Sequence, residues 1–191
     1  MCQTLKEIVR RVKENVKCRY YEPEQKVLGI NKTIEVQWQP PPANVIKLNT
    51  DVSFDQSSHE ARLGAVSRDE LGRISFSATT KITNIKSPLQ AEVMTIFFGV
   101  KLKFEHEWLN VIVESDCKTT VSLINGVVFN FWEDGVWIKE ILGYVEQFNS
   151  ISFRYIRREA NKLVHRLAKS EGESNMFYVW ENSLLDNIRI L

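Results

Sequence analysis

Apolar residues recur at spacings of three and four from Leu5 through Ile8, Val9 and Val12 to Val16, with Lys6, Arg10, Lys13 and Lys17 between them. That period predicts an amphipathic helix, which stops before Tyr20-Tyr21-Glu22-Pro23. The run Pro40-Pro41-Pro42 supplies no backbone donors and favours an extended connector. Beyond it the period changes to two. Asn44 to Phe54 alternates, with Ile46, Leu48 and Val52 on one face. Arg62 to Asp69 and Arg73 to Ile82 read as two further strands, and Asp69-Glu70-Leu71-Gly72 between them reads as a hairpin turn.

The helical period returns after Ser87-Pro88, a capping residue followed by proline at the first helical position. Leu89, Val93, Ile96, Phe97, Val100 and Phe104 then form one apolar face. Leu109 to Val113 suits a strand buried on both faces. Cys117 to Asn125 predicts a short helix that Gly126 ends. A helix carrying Val136, Ile138, Ile141, Leu142 and Val145 follows, then a strand with Ile151, Phe153, Tyr155 and Ile156. A last amphipathic helix carries Ala160, Leu163, Val164, Leu167 and Ala168. The order βββ-α-β-α-α-β-α predicts an α/β fold: a five-stranded mixed sheet, three antiparallel strands and then β-α-β units, with helices on both faces. Three segments are expected: an N-terminal helix and linker at 1–37, a compact domain at 38–170 and a C-terminal extension at 171–191.

Composition narrows the class without naming a function. The 191 residues are 43% hydrophobic and 26% charged, which argues against a disordered chain. No apolar run approaches the length of a membrane span, so no membrane partner is expected. The formal net charge is +1, so composition does not mark a strongly basic nucleic-acid binder, and any polyanion contact must come from a local patch. Cys2, Cys18 and Cys117 are odd in number and widely spaced. They suit a reducing compartment, and an intracellular location, nucleus or cytoplasm, is expected. Nothing in the pattern calls for an oligomer, and a monomer is expected.

Three acids stand at telling places. Asp51 lies in the first strand, on the face opposite Ile46, Leu48 and Val52. Glu92 lies in the second turn of the first long helix, at the margin of its apolar face. Asp116 follows the apolar strand, at the end where α/β sheets place their sites. A lone carboxylate is costly at each position, because a partly buried anion loses hydration. A shared cation would offset that cost, and hard oxygen donors suit Mg2+, with Mn2+ as a substitute. Spacing alone does not bring the three together. Arg154, Arg157, Arg158, Lys162, Arg166 and Lys169 form a basic stretch opposed by Glu159 alone. It is either a solvated helix face or a phosphate-binding one.

The local text around these residues resembles a known family. Trp38-Gln39-Pro40-Pro41 with Lys47-Leu48-Asn49-Thr50-Asp51 is similar to the opening of plant RNase H-like domains, of the kind found in reverse-transcriptase-derived genes. Leu89-Gln90-Ala91-Glu92 resembles that family's A-E helix motif, and Glu114-Ser115-Asp116 its strand-ending E-S-D motif. Arg158-Glu159-Ala160-Asn161 through His165-Arg166-Leu167-Ala168 resembles its closing helix. Four motifs in the family's order span about residues 38–170. The resemblance implies an RNase H-like fold and two-metal hydrolysis of the RNA strand of RNA–DNA hybrids. It implies Asp51, Glu92 and Asp116 as catalytic metal ligands for Mg2+ or Mn2+, His165 as a catalytic auxiliary, and Arg157, Arg158, Asn161 and Lys162 as nucleic-acid contacts.

Two positions depart from the family. Val52 stands where glycine is frequent, and His165 where the wider family has a fourth acid. Both leave open a second reading, a weak or inactive nucleic-acid-binding module derived from a retroelement. A third reading is a protein-interaction domain. The amphipathic helix and the apolar C-terminal tail motivate it, with a protein partner docking through 1–37 or 171–191.

Overall fold

A computed structural model describes residues 37–126 and 135–170, together with the backbone of 177–181. The expected helix at 5–17 and the aromatics Phe129, Phe131 and Trp132 lie outside the described residues. The elements, in chain order, are β1 (Ile46–Asp55), β2 (Glu60–Arg68), β3 (Ile74–Ile82), α1 (Pro88–Glu105), β4 (Asn110–Ser115), α2 (Lys118–Ile124), α3 (Gly135–Val145), β5 (Ser150–Tyr155), a 3-10 turn (Arg158–Ala160), α4 (Lys162–Lys169) and β6 (Phe177–Glu181). The five expected strands form in the expected order, and β6 adds a sixth to the sheet, β5-β4-β1-β2-β3-β6. Antiparallel pairing runs from β1 through β2 and β3 to β6, whereas β4 lies parallel to β1 and to β5. It is a mixed sheet.

Local chemistry sets the turns. Asp69 Oδ1 accepts from the backbone N–H groups of Leu71 and Arg73, and Gly72 takes φ +75°, a left-handed conformation that costs glycine little. Ser87 Oγ accepts from the Gln90 N–H at 3.1 Å and caps α1, whose first residue is Pro88.

Helices cover both faces of the sheet. On one face, Leu48, Ala65, Phe76, Ala78, Val111 and Ile151 form one core with Val93, Ile96 and Val100 of α1 and Ile138, Ile141 and Leu142 of α3. On the other, α4 sets Val164 and Leu167 against Val66. Two glycines permit the close approaches. A Cβ on Gly99 of α1 would come within 3.0 Å of Leu48, and one on Gly64 of β2 within 3.2 Å of Ala168 in α4.

The last turn of α1 differs from the expected pattern. Phe104, predicted on the apolar face, is exposed and turns toward Tyr144 and Phe148, while Lys103 beside it is buried. The Lys103 ammonium lies 4.2 Å above the Phe76 ring and 5.2 Å from that of Trp108. A long aliphatic stem lets lysine fill an apolar site that a strict period assigns to its neighbour.

Candidate metal centre

Three elements deliver the three acids to one place. Asp51 projects from β1 on the face covered by α4, and it pairs across the sheet with Gly64, which α4 approaches closely at Ala168. Asp116 follows the end of β4, which runs parallel beside β1. The turn beyond it is fixed by Ser115 Oγ, which accepts from the Cys117 N–H at 3.0 Å. Glu92 comes from the second turn of α1. One carboxylate oxygen from each of Asp51, Glu92 and Asp116 lies within 4.8 Å of the others. Asp51 is buried, and Glu92 and Asp116 are half-buried.

The electrostatics follow from that crowding. Burial pushes the Asp51 carboxyl above its ordinary value, the Asp116 charge adds to the rise, and the His165 bond opposes it. Glu92 is pushed up to about 8, first by burial and then by the charges of Asp51 and Asp116, with Arg158 pulling the other way. Three like charges at this separation repel unless a cation or protons offset them. The donor set is all carboxylate oxygen, so the residues fit a hard divalent cation and give no preference for zinc.

The closing helix completes the site. His165, half-buried on α4, meets Asp51 Oδ2 through Nδ1 at 2.6 Å. The Arg158 guanidinium lies 3.3 Å from His165 Nε2. The same guanidinium nitrogen lies 3.5 Å from Nδ1, so it rests against the imidazole ring rather than in line with one ring nitrogen. Asn161, expected on the nucleic-acid face, is buried instead. Its amide Nδ2 donates to the Thr50 carbonyl at 2.9 Å and approaches Asp116 Oδ1 at 3.4 Å. Arg157 and Lys162 are exposed, as are Arg166 and Lys169 further along α4. Val52 does not crowd the acids. It is half-buried on the opposite face and packs with Ala61, Leu63, Ile85 and Ala91.

A buried polar cluster behind the acids escaped the sequence reading. Glu114, Asn49, Lys47 and Arg68 lie together under Trp38. The available signal was alternation: Asn49 precedes Asp51 by two residues, and Glu114 precedes Asp116 by two. Asn49 therefore shares a strand face with Asp51. Only the neighbouring strand shows that the two meet.

Known proteins share this fold. The chain has no match among curated proteins. Among solved structures it is similar to RNase H1 from the archaeon Halobacterium salinarum NRC-1, with a TM-score of 0.62 at 15% identity over 65% of this chain and 95% of that one. It is similar to the N-terminal RNase H domain of a Mycobacterium tuberculosis protein, with a TM-score of 0.60 at 18% identity over 65% of this chain and 91% of that one. LC11-RNase H1, from compost, was solved in complex with an RNA/DNA hybrid. It has a TM-score of 0.58 at 20% identity over 64% of this chain and 92% of that one. The reverse transcriptase-like family pattern matches residues 49–171, so it contains Asp51, Glu92, Asp116 and His165 and covers well over half of the chain. The chain therefore belongs to the reverse transcriptase-like family, and its fold is RNase H-like.

Proposed function

We propose that this protein is a metal-dependent endoribonuclease that cuts the RNA strand of RNA–DNA hybrids. The observation that carries the reading is the convergence of Asp51, Glu92 and Asp116 from β1, α1 and the end of β4 within 4.8 Å. Mg2+ or Mn2+ held there would lower the pKa of a bound water and offset charge at the leaving oxygen. The chain's own residues have separate roles. Asp51 from β1 and Asp116 from the bend after β4 would hold the cation from the sheet, and Glu92 would hold it from the helix. His165 fixes the Asp51 carboxylate through Nδ1. Arg157, Arg158 and Lys162 supply positive charge at the rim for backbone phosphates, which would make binding salt-sensitive and independent of sequence.

One observation favours a weaker enzyme. His165 occupies the place of a fourth acid and engages one of the two Asp51 carboxylate oxygens. In the alternative reading the domain holds hybrid without cutting it.

The deciding experiment incubates purified protein with end-labelled RNA–DNA hybrid and Mg2+, Mn2+ or Zn2+, with double-stranded DNA and double-stranded RNA as controls. Cleavage of the hybrid's RNA strand in Mg2+ or Mn2+, and none in Zn2+ alone, is expected. Retention of hybrid without cleavage in any ion sinks the enzyme reading and leaves the binding module.

A further inference from the structure

We infer that Glu114 is a positioning residue for the metal centre: it fixes β1 against β4 and thereby sets the separation of Asp51 and Asp116 on which cation affinity depends. The inference rests on the metal-centre reading above. Glu114 is 3% exposed, and both of its carboxylate oxygens are used. Oε2 accepts from Trp38 Nε1 at 3.1 Å and from Asn49 Nδ2 at 2.9 Å. Oε1 pairs with Lys47 Nζ at 2.7 Å. Asn49 Oδ1 accepts in turn from Arg68 Nη2 at 2.7 Å, and the Arg68 guanidinium lies 3.5 Å from the centre of the Trp38 ring. Lys47 Nζ also donates to the Gln39 carbonyl at 2.7 Å, which anchors the Trp38 segment a second time.

The geometry gives this cluster its reach. Asn49 and Glu114 are partners across the parallel β1–β4 pair. Asn49 lies two residues before Asp51, roughly 6.6 Å back along β1, and Glu114 lies two residues before Asp116, which follows the end of β4. Lys47 and Asn49 present their donors on the face that carries Asp51. A one-residue slip of β1 would turn both donors and Asp51 away together, leaving Glu114 buried and unpaired. The bonds to Glu114 therefore accept only the register that sets Asp51 beside Asp116.

The centre needs such a constraint. Its three carboxylates repel one another and do not hold their own spacing without a cation. Asn161 and His165 restrain Asp116 and Asp51 from α4. Glu114 restrains the same two strands from within the sheet. Partners standing behind metal ligands typically change affinity by about ten- to hundredfold when removed.

The test is isothermal titration of the full chain with MnCl2, at a temperature where circular dichroism shows each variant folded. Glu114→Gln keeps the shape but removes the charge that Lys47 and Arg68 face, and it should raise the Mn2+ Kd about tenfold or more. Leu142→Ala, in the apolar core under α3, is the stability control. It should lower the melting temperature and leave the Kd unchanged. Trp38→Phe deletes a single hydrogen bond to Glu114 and should weaken Mn2+ by a smaller factor in the same direction, and it decides the matter if Glu114→Gln does not fold. An unchanged Kd in the folded Glu114 variant, or in Trp38→Phe where that variant stands in, overturns the inference alone. A parent protein that binds no Mn2+ overturns the metal-centre reading and this inference with it.

Discussion

The two faces of the sheet are held by different chemistry. Beneath α1 and α3 the contacts are aliphatic and aromatic, and Val93, Ile96, Val100 and Ile141 are fully buried among them. Beneath α4 and the Trp38 segment the sheet presents Lys47, Asn49, Asp51 and Arg68, held by a few directed bonds. Apolar burial is non-directional and tolerates volume-conserving exchange. Directed bonds between buried charges leave an unpaired charge when one partner is lost. The first face supplies stability, and the second supplies positions, which is where a metal centre has to be built. Each face also has an exception. Lys103 is a charge on the apolar side, and Val164 and Leu167 are apolar on the polar side.

The largest expected effect comes from breaking the polar face at its centre. Asp116→Asn keeps the shape of the side chain and removes one charge from the cation site. Hybrid cleavage should fall at least about a hundredfold, beyond the loss typical of outer partners, while gel-shift binding of the hybrid persists. In chelator the melting temperature should hold or rise, because one source of repulsion is gone. Cleavage at the parental rate would show that Asp116 is no ligand. The companion change His165→Asp supplies a fourth acid and should lower the Mg2+ concentration needed for half-maximal cleavage. No shift would confine His165 to orienting Asp51.

The apolar face should respond to pH in the opposite sense from the polar one. Lys103 Nζ has no hydrogen-bond partner among the described residues, and burial draws it down to about 7 from 10.5. Between those values the unfolded chain binds the extra proton, so this group makes stability rise as pH increases from about 7 toward 10.5. Glu92 is raised from 4.5 to about 8, so the folded state binds the extra proton and stability falls across that window in metal-free buffer. Urea unfolding in chelator should therefore show a minimum near pH 7 to 8. Mg2+ should flatten the acidic arm. Lys103→Met should remove the alkaline arm and stabilise the protein at pH 6 by about 1–3 kcal/mol, the usual cost of an unsatisfied buried polar group. A Lys103→Met protein less stable than the parent at pH 6 would mean that the ammonium is well accommodated where it lies.

The smallest effect tests where the polar face begins. Deleting residues 1–37 should leave a cooperative unfolding transition with little change in midpoint, since Trp38 and the Gln39 carbonyl are retained. Deleting through Pro42 should cost about 1–3 kcal/mol, because Glu114 loses a buried donor and Lys47 an acceptor. Equal midpoints for the two truncations would show that the Trp38 segment adds nothing to the fold.

Most of the apolar face was legible along the chain. Leu48, Val93, Ile96, Val100, Ile138 and Ile141 announce themselves by period, since a buried stripe needs only apolar side chains at the right spacing. Ser87-Pro88 and the Asp69 turn were equally readable, because capping and turn formation depend on neighbours in sequence. The motifs gave Asp51, Glu92 and Asp116 their candidacy, and the structure brings the three together.

Tertiary structure decided the rest, for a common physical reason: the partners are far apart in sequence. Lys103 reads as a polar flank of α1 until Phe76 and Trp108 are found around it. The motif makes His165 a catalytic auxiliary, but its partner is visible only where Gly64 lets α4 come close enough for a 2.6 Å bond to Asp51. The bond from the Asn161 amide to the Thr50 carbonyl joins residues 111 positions apart. Glu114 and Asn49 lie 65 positions apart and meet only because β4 lies parallel beside β1. The sequence by itself determined which faces are apolar, where chains of like period start and stop, and which acids are available. Only the fold decided which charges pair, because a buried polar side chain is placed by the donors and acceptors around it in space, and periodicity along the chain carries no record of them.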